Sequence, residues 1–414
     1  MLRQEEIANI LDAQWVDFLR TDTGFQRELL SKIPVVTSFA TIITGIRRSG
    51  KSTLLLQLLR QRYETVVYLH FEDIRLATFE TNDFIRLHNE IKRRDAKILF
   101  FDEIQLIKGW ELFVNQLLRE RYTVFIIGSN ASMLSVEMGT HLTGRHLSVE
   151  LFPFSYTEYL HFLNRENNTE SVTAYLHSGG IPEYLKTGLS NILSVLVDDI
   201  LWRDIAVRHA VRDVVSLRQL TVFLLTNIGN TITANKLTGM FNIKSPSTLL
   251  AYFSYLRDAY LFEFVPLFSH SLKVQARNPK KVYTIDLGLY THNALSTSEN
   301  NGRRFENLVY LHLRRQYKDI FYFQLKGACD FVVLEKNMIT KAIQVCLEIT
   351  DENFEREYNG LKEALQSFNL SYGQIVTLNQ SDKFIDNDLT IEMIPATVFF
   401  ETNPDITEPY KNIR

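Results

Sequence analysis

The sequence predicts an α/β protein: a three-layer P-loop core, with a parallel sheet between helices, followed by smaller modules. Three observations carry that expectation. Residues 41–59, TIITGIRRSGKSTLLLQLL, pass from a β-branched run through a Gly- and Arg-bearing turn into a Leu-rich stretch. The turn, Gly45-Ile46-Arg47-Arg48-Ser49-Gly50-Lys51-Ser52, matches G-x-x-x-x-G-K-[ST]. Apolar runs such as TVVYLHF (65–71), KILFF (97–101) and YTVFIIG (122–128) alternate with helical patterns, as in a parallel sheet. And 414 residues are long for one core, so several domains are expected.

Composition narrows the class before any motif does. With 45% hydrophobic and 22% charged residues the chain reads as globular, and a net charge of −3 excludes a globally basic nucleic-acid binder while leaving room for a local patch. Two cysteines, Cys329 and Cys346, make no disulfide framework. The start, MLRQEEIANILDAQW, carries acids and lacks the apolar core of a signal peptide. No apolar run approaches the ~20 residues that span a bilayer. The expectation is a cytoplasmic protein with no membrane contact.

Residues 1–33 read as a helical lead-in and 34–150 as the core. Val35–Thr44 ends in a run suited to a buried parallel strand. Glycines at 45 and 50 let the backbone wind around phosphates with its N–H groups inward, and the helix from Lys51 offers its positive end to an anion. ATP with Mg²⁺ is the expected occupant. Lys51 reaches the β- and γ-phosphates, and the Ser52 hydroxyl is a Mg²⁺ ligand. Gly45, Arg47, Arg48, Ser49, Gly50, Lys51, Ser52 and Thr53 are therefore the expected nucleotide-binding residues.

A phosphate loop calls for an acid on a neighbouring strand. KILFFDEIQ (97–105) supplies Asp102 for Mg²⁺ and Glu103 to polarise the attacking water. An apolar run closed by two acids is also what a solvated strand end looks like, and the preceding phosphate loop is what favours the functional reading. Asn130, after YTVFIIGS, falls at a strand end where ligands of open α/β sheets sit; it senses the γ-phosphate or aligns the water, or else is a turn residue.

GIRRSGKS, FFDEIQ, GSNASML, LTGRHLSVELFPFSYTEYL and GGIPEYL together resemble the AAA-type ATPases of bacteria and archaea that join a P-loop core to a C-terminal domain of unknown function. The resemblance covers nearly the whole chain. It implies an AAA-like core, a helical lid (151–213), a winged helix-turn-helix (214–292) and a restriction-endonuclease-like α/β domain (302–400). It implies further that Arg145 is a nucleotide-sensing arginine, acting within one chain or across an interface between copies. Gly180 and Pro182, in Gly179-Gly180-Ile181-Pro182, resemble the element that packs a lid against adenine; a helix cap followed by a Pro restart is the other reading.

In the winged-helix stretch, STLLAYFSYLRDAYL (247–261) carries Leu249, Phe253, Leu256 and Tyr260 at helical spacing. Lys273, Arg277, Lys280 and Lys281 lie in or beside a presumed wing loop between EFVPLF and KVYTI, a basic patch suited to DNA backbone. The helix itself has one basic residue, Arg257, which favours protein packing over base reading. In the last domain Glu306 and Asp330 match two acids of the nuclease resemblance. The third element falls at Gln344-Val345-Cys346, without the expected acid and lysine, so an inactive domain is expected. QIVTL (374–378) reads as the last buried strand and the tail from Glu401 as loose.

The leading expectation is an enzyme hydrolysing ATP, with Lys51, Ser52, Asp102 and Glu103 at its centre and C-terminal modules responding to nucleotide state. Two other classes remain at this point: a DNA-binding or DNA-processing protein regulated by ATP, and a non-hydrolysing nucleotide-dependent interaction protein. A protein partner or a second copy of the chain fits any of them.

Overall fold

A computed structural model of the chain describes residues 1–62, 65–129, 144–295 and 300–401. Its contacts group into two units. Unit 1 is Met1–Phe152 with Asp258–Tyr260, and unit 2 runs from Pro153 onward without those three residues. Among the described residues no helix is long and apolar enough to cross a membrane.

Unit 1 contains helix α1 (Gln4–Arg20), β1 (Ala40–Thr44), α2 (Lys51–Arg62), β2 (Val66–His70), α3 (Asp83–Arg93), β3 (Ile98–Asp102), α4 (Trp110–Arg119), β4 (Thr123–Gly128) and β5 (His146–Glu150). The strands form one sheet in the order β2-β3-β4-β1-β5. Every pairing is parallel, with Ile43 opposite Ile127 and His70 opposite Asp102. A sheet buried on both faces needs apolar residues at consecutive positions. These strands have them: Ile42, Leu69, Leu99, Phe101, Val124 and Ile126 pack on one side with α1, α3 and α4. Ile43, Tyr68, Phe100, Phe125 and Ile127 pack on the other with Leu54, Leu55, Leu58 and Leu59 of α2. Each such side chain contributes about 1.5–3 kcal/mol when fully buried. This is a mixed α/β fold with the parallel five-stranded sheet of a P-loop ATPase core, and a further β-sheet domain follows it.

Unit 2 begins with helices Tyr156–Leu163, Thr169–Ser178, Pro182–Thr187 and Asn191–Asp199, then a π-helical stretch Ile200–Val207 and a helix Val214–Thr226. A small antiparallel sheet combines β6 (Thr231–Ile232), β7 (Phe262–Pro266) and β8 (Lys280–Thr284) in the order β6-β8-β7, and helix Pro246–Asp258 precedes β7. Helix Asn301–Arg314 leads into β9 (Asp319–Gln324), β10 (Ala328–Glu335), β11 (Met338–Val345), β12 (Tyr372–Thr377), β13 (Asp382–Asp386) and β14 (Leu389–Pro395), a six-stranded sheet covered by helix Phe354–Ser367.

Three details differ from the sequence expectations. The segment between β7 and β8 is not all loop, because Leu272–Arg277 forms a short helix carrying Lys273 and Arg277. Lys280, read as the end of the loop, opens β8, and Lys281, read beside the loop as part of an accessible basic patch, turns its side chain to the same face as Tyr283, where it is only 14% exposed. And 374–378 is not the last strand, since the hairpin of β13 and β14 follows it.

Candidate functional site

The phosphate loop leaves the sheet at the end of β1, which lies between β4 and β5. Leu151 N–H donates to Thr44 O at 2.7 Å, drawing the chain after β5 against the start of the loop. A Cβ on Gly45 would stand 2.1 Å from Leu151 O, and its φ of +153° lies where side chains are rarely found, so only glycine fits. Gly50 has φ +90° and Arg48 φ +65°. These left-handed turns bend the loop back to the start of α2.

Lys51 is the first residue of that helix. Its Nζ donates to Gly45 O and Ile46 O, both at 2.9 Å, which places the ammonium inside the loop. Ser52 Oγ donates to Asp102 Oδ2 at 3.2 Å across the gap between α2 and β3. The side chain of Asp102 is only 6% exposed. Glu103 adopts φ +57°, its N–H donates to Ile127 O at 2.9 Å, and its carboxylate accepts from Gln105 Nε2. Two non-glycine left-handed residues at one site, Arg48 and Glu103, are the kind of strain that persists where geometry has a task. Arg47 stands 3.9 Å from Glu72 Oε1. Thr53 packs where a Cβ on Gly24 would lie 3.1 Å from its methyl group. Ser49 is fully buried, and its Oγ has no hydrogen-bond partner among the described residues.

These groups fit a nucleotide with a hard divalent cation. The loop offers a buried hydroxyl with no partner and a cation on its carbonyls. Ser52 and Asp102 form an oxygen-donor pair of the kind Mg²⁺ takes. Gly45→Ala is expected to weaken nucleotide binding and lower the melting temperature by several degrees. The obstacle is backbone, and accommodating it costs about 1–3 kcal/mol of strain. Melting curves with and without ATP check both effects.

The structure also places residues that sequence reasoning missed. Arg27 is 5% exposed; its guanidinium donates to Ser49 O at 2.7 Å and Phe152 O at 2.8 Å, bracing the loop from behind. His70, at the end of β2, has Nδ1 3.3 Å from Asp102 Oδ2 and Nε2 4.0 Å from Glu72 Oε2. Burial works against charge on this imidazole, but Asp102, Glu72 and Glu103 outweigh it and raise its pKa above the ordinary value. Tyr68 OH lies 3.5 Å from the same Asp102 oxygen; burial, then Asp102, pushes its ionisation far up.

Asn130 lies outside the described residues. Arg145 is at the opposite end of the strands: its carbonyl accepts from Ala40 N at 3.0 Å, where β1 starts, while the phosphate loop follows Thr44, where β1 ends. That run of strand is roughly 13 Å, beyond an arginine side chain, so Arg145 does not reach its own chain's loop. Gly180 and Pro182 lie in unit 2. Gly180 N donates to Asp286 Oδ2 at 2.6 Å, a Cβ there would stand 2.3 Å from Phe154 O, and Pro182 opens a helix.

Glu306 and Asp330 do meet, around a lysine that the motif reading had placed on the surface. Lys281 Nζ donates to Glu306 Oε1 and Asp330 Oδ1, both at 2.8 Å, and Tyr283 OH donates to Glu306 Oε1 at 2.6 Å. Gln344 Oε1 accepts from Asp330 N at 3.2 Å, and its amide donates to Glu357. Burial opposes the Lys281 charge, but the two carboxylates outweigh it and hold the ammonium above its ordinary pKa. Burial, then Asp330, raises Glu306.

A family model described as an AAA domain matches residues 37–160, and one described as a domain of unknown function (DUF8612) matches 169–300. An uncharacterized protein of Methanocaldococcus jannaschii is 31% identical over 398 residues, 88% of this chain and 88% of its own. The chain belongs to the AAA-type P-loop ATPase family. An uncharacterized protein of Haemophilus influenzae is 30% identical over 343 residues, covering 78% of this AAA-family chain and 86% of that protein. Among solved structures, the Walker-type ATPase of Pyrococcus abyssi aligns with 66% of this AAA-family chain and 99% of that chain, at a TM-score of 0.43 and 16% identity.

Proposed function

We propose that the chain binds ATP with Mg²⁺ and hydrolyses it by attack of water on the γ-phosphate, and that turnover changes the conformation of unit 2. The observation that carries this is the meeting of Ser52 and Asp102 at 3.2 Å beside a loop that holds the Lys51 ammonium on its own carbonyls. Bound Mg²⁺ supplies charge neutralisation at the β- and γ-phosphate oxygens. Lys51 takes up negative charge from the phosphates, and the loop amides of 45–52 orient them. Glu103 accepts the proton of the attacking water. Asn130 aligns that water. Arg145 acts on the γ-phosphate of a second copy, since its own loop is out of reach.

The helices and small sheet of 214–292 are read as a winged helix-turn-helix, and 302–400 as an endonuclease-like domain without nuclease activity. Lys281 supports that second reading, because an ammonium already bonds both carboxylates. It weakens the DNA reading of the basic patch by the same contact.

Purified protein incubated with Mg·ATP over a range of protein concentrations, with and without duplex DNA, tests the proposal. The expected result is phosphate release whose rate per chain rises with concentration, with the DNA left intact. Stimulation of turnover by DNA would favour the DNA-handling class, and absence of turnover would leave a nucleotide-dependent interaction protein.

A further inference from the structure

Asp102 is oriented by more than its own strand. Three side chains converge on its Oδ2: Ser52 Oγ and Tyr68 OH donate to it at 3.2 and 3.5 Å, and His70 Nδ1 stands at ion-pair distance, 3.3 Å. Among the described residues its Oδ1 takes no hydrogen bond. A carboxylate gripped by one oxygen cannot swing about its Cβ–Cγ bond without breaking three contacts, and the other oxygen is left for a cation or its water.

Tyr68 and His70 are two apart on β2, so they share a face of the strand. β2 is an edge strand, and its neighbours on β3 take Phe71 N, which donates to Asp102 O at 2.8 Å. The N–H and C=O of His70 therefore point away from the sheet. Helix α1 supplies what a further strand would have supplied. Gln14 Oε1 accepts from His70 N at 2.8 Å, and Gln14 Nε2 donates to His70 O at 3.0 Å. One turn later Phe18 stacks on Tyr68 with ring centroids 4.1 Å apart and planes 13° apart. Gln14 is the one amide among the buried residues of α1 (Ile7, Ile10, Leu11 and Phe18), where packing alone would favour another apolar residue.

We propose that Tyr68 and His70 are positioning residues for Asp102, held in register from outside the sheet by Phe18 and Gln14 of helix α1, so that the N-terminal helix sets how tightly the ATP site takes its divalent cation. This rests on the ATP reading above. Outer contacts of a metal-binding carboxylate typically change metal affinity 10–100-fold. Their effect is therefore expected in the cation dependence of the site and not in nucleotide binding as such.

The test uses the full chain and a fluorescent ATP analogue, titrated with Mg²⁺ and separately in EDTA. His70→Ala is expected to raise the Mg²⁺ concentration for half-maximal effect about tenfold, on both analogue binding and turnover, with affinity in EDTA unchanged. His70→Gln, which restores a donor, recovers most of the loss, and Gln14→Ala shifts the curve in the same direction by less. Asp102→Asn separates the two layers. If it keeps the wild-type Mg²⁺ curve, the ATP-site reading itself fails. If it loses the Mg²⁺ effect while His70→Ala keeps it, the positioning proposal is overturned. Loss of EDTA affinity in His70→Ala to the same extent as Mg²⁺ affinity, or failure of that variant to fold together with an unshifted Gln14→Ala, overturns it too, because the residue is then plain structural support.

Discussion

Glu103→Gln is expected to lower ATP hydrolysis by about 10²–10⁴-fold while leaving ATP binding intact, and Lys51→Ala to lose both. A positioned general base contributes about that factor, and glutamine keeps the shape and hydrogen-bonding capacity of glutamate without its basicity. Glu103 is turned off the strand by its φ of +57° and held there by the bond from its N–H to Ile127 O, so the substitution leaves Asp102 and the loop where they are. Lys51 differs. Its Nζ bridges the Gly45 and Ile46 carbonyls, and its removal takes the ammonium out of the phosphate cradle. Charge-assisted hydrogen bonds are worth about 1.5–3 kcal/mol, so ATP affinity falls by roughly 10–150-fold. Binding of a fluorescent ATP analogue and release of phosphate, measured on both variants, check the pair. A Lys51→Ala protein that binds and splits ATP like the unmodified chain would sink the proposed function.

Much of the core site was legible because its determinants are local. The strand, the loop and the first turn of α2 lie within 41–59, and glycines at 45 and 50 announce a backbone in which a side chain would be obstructed at the first and strained by its positive φ at the second. Asp102 and Glu103 were legible as the end of an apolar run. What escaped is what tertiary packing supplies. Arg27 lies in an irregular stretch without periodicity, yet it braces the loop through Ser49 O. Gln14 was visible as a polar residue on an apolar helical stripe, a signal that a buried amide has a specific partner, but nothing local names His70 as that partner. The β13 strand was missed because it is an edge strand with mostly exposed or half-exposed residues, and such a strand shows little apolar alternation. The role expected of Arg145 came from the family resemblance of the stretch that holds it. Only the register of β1 with β5 reveals which end of the sheet it occupies.

Lys281→Met is expected to destabilise unit 2 by about 3–5 kcal/mol, the cost of removing one partner from a buried ionic group. The side chains of Lys281, Glu306 and Asp330 are 14%, 15% and 13% exposed, and each carboxylate lies 2.8 Å from the ammonium. Without that charge two carboxylates face each other in a poorly hydrated site. Had Lys281 been a surface contact to DNA phosphate, the same substitution would cost no more than about 0.5 kcal/mol and would show itself in DNA affinity. Denaturant unfolding of the full chain therefore distinguishes the two roles. The pH dependence gives a second check. Burial and Asp330 already raise the Glu306 pKa, and loss of Lys281 removes a contact that lowers it. A carboxyl whose folded pKa lies above its unfolded value binds a proton in the fold that the unfolded chain has released, so stability falls as pH rises between those two values. The Lys281→Met deficit is accordingly expected to shrink on acidification and to be full at neutral pH. Glu306→Gln added to Lys281→Met is expected to recover part of the loss at neutral pH, because it removes one of the two like charges.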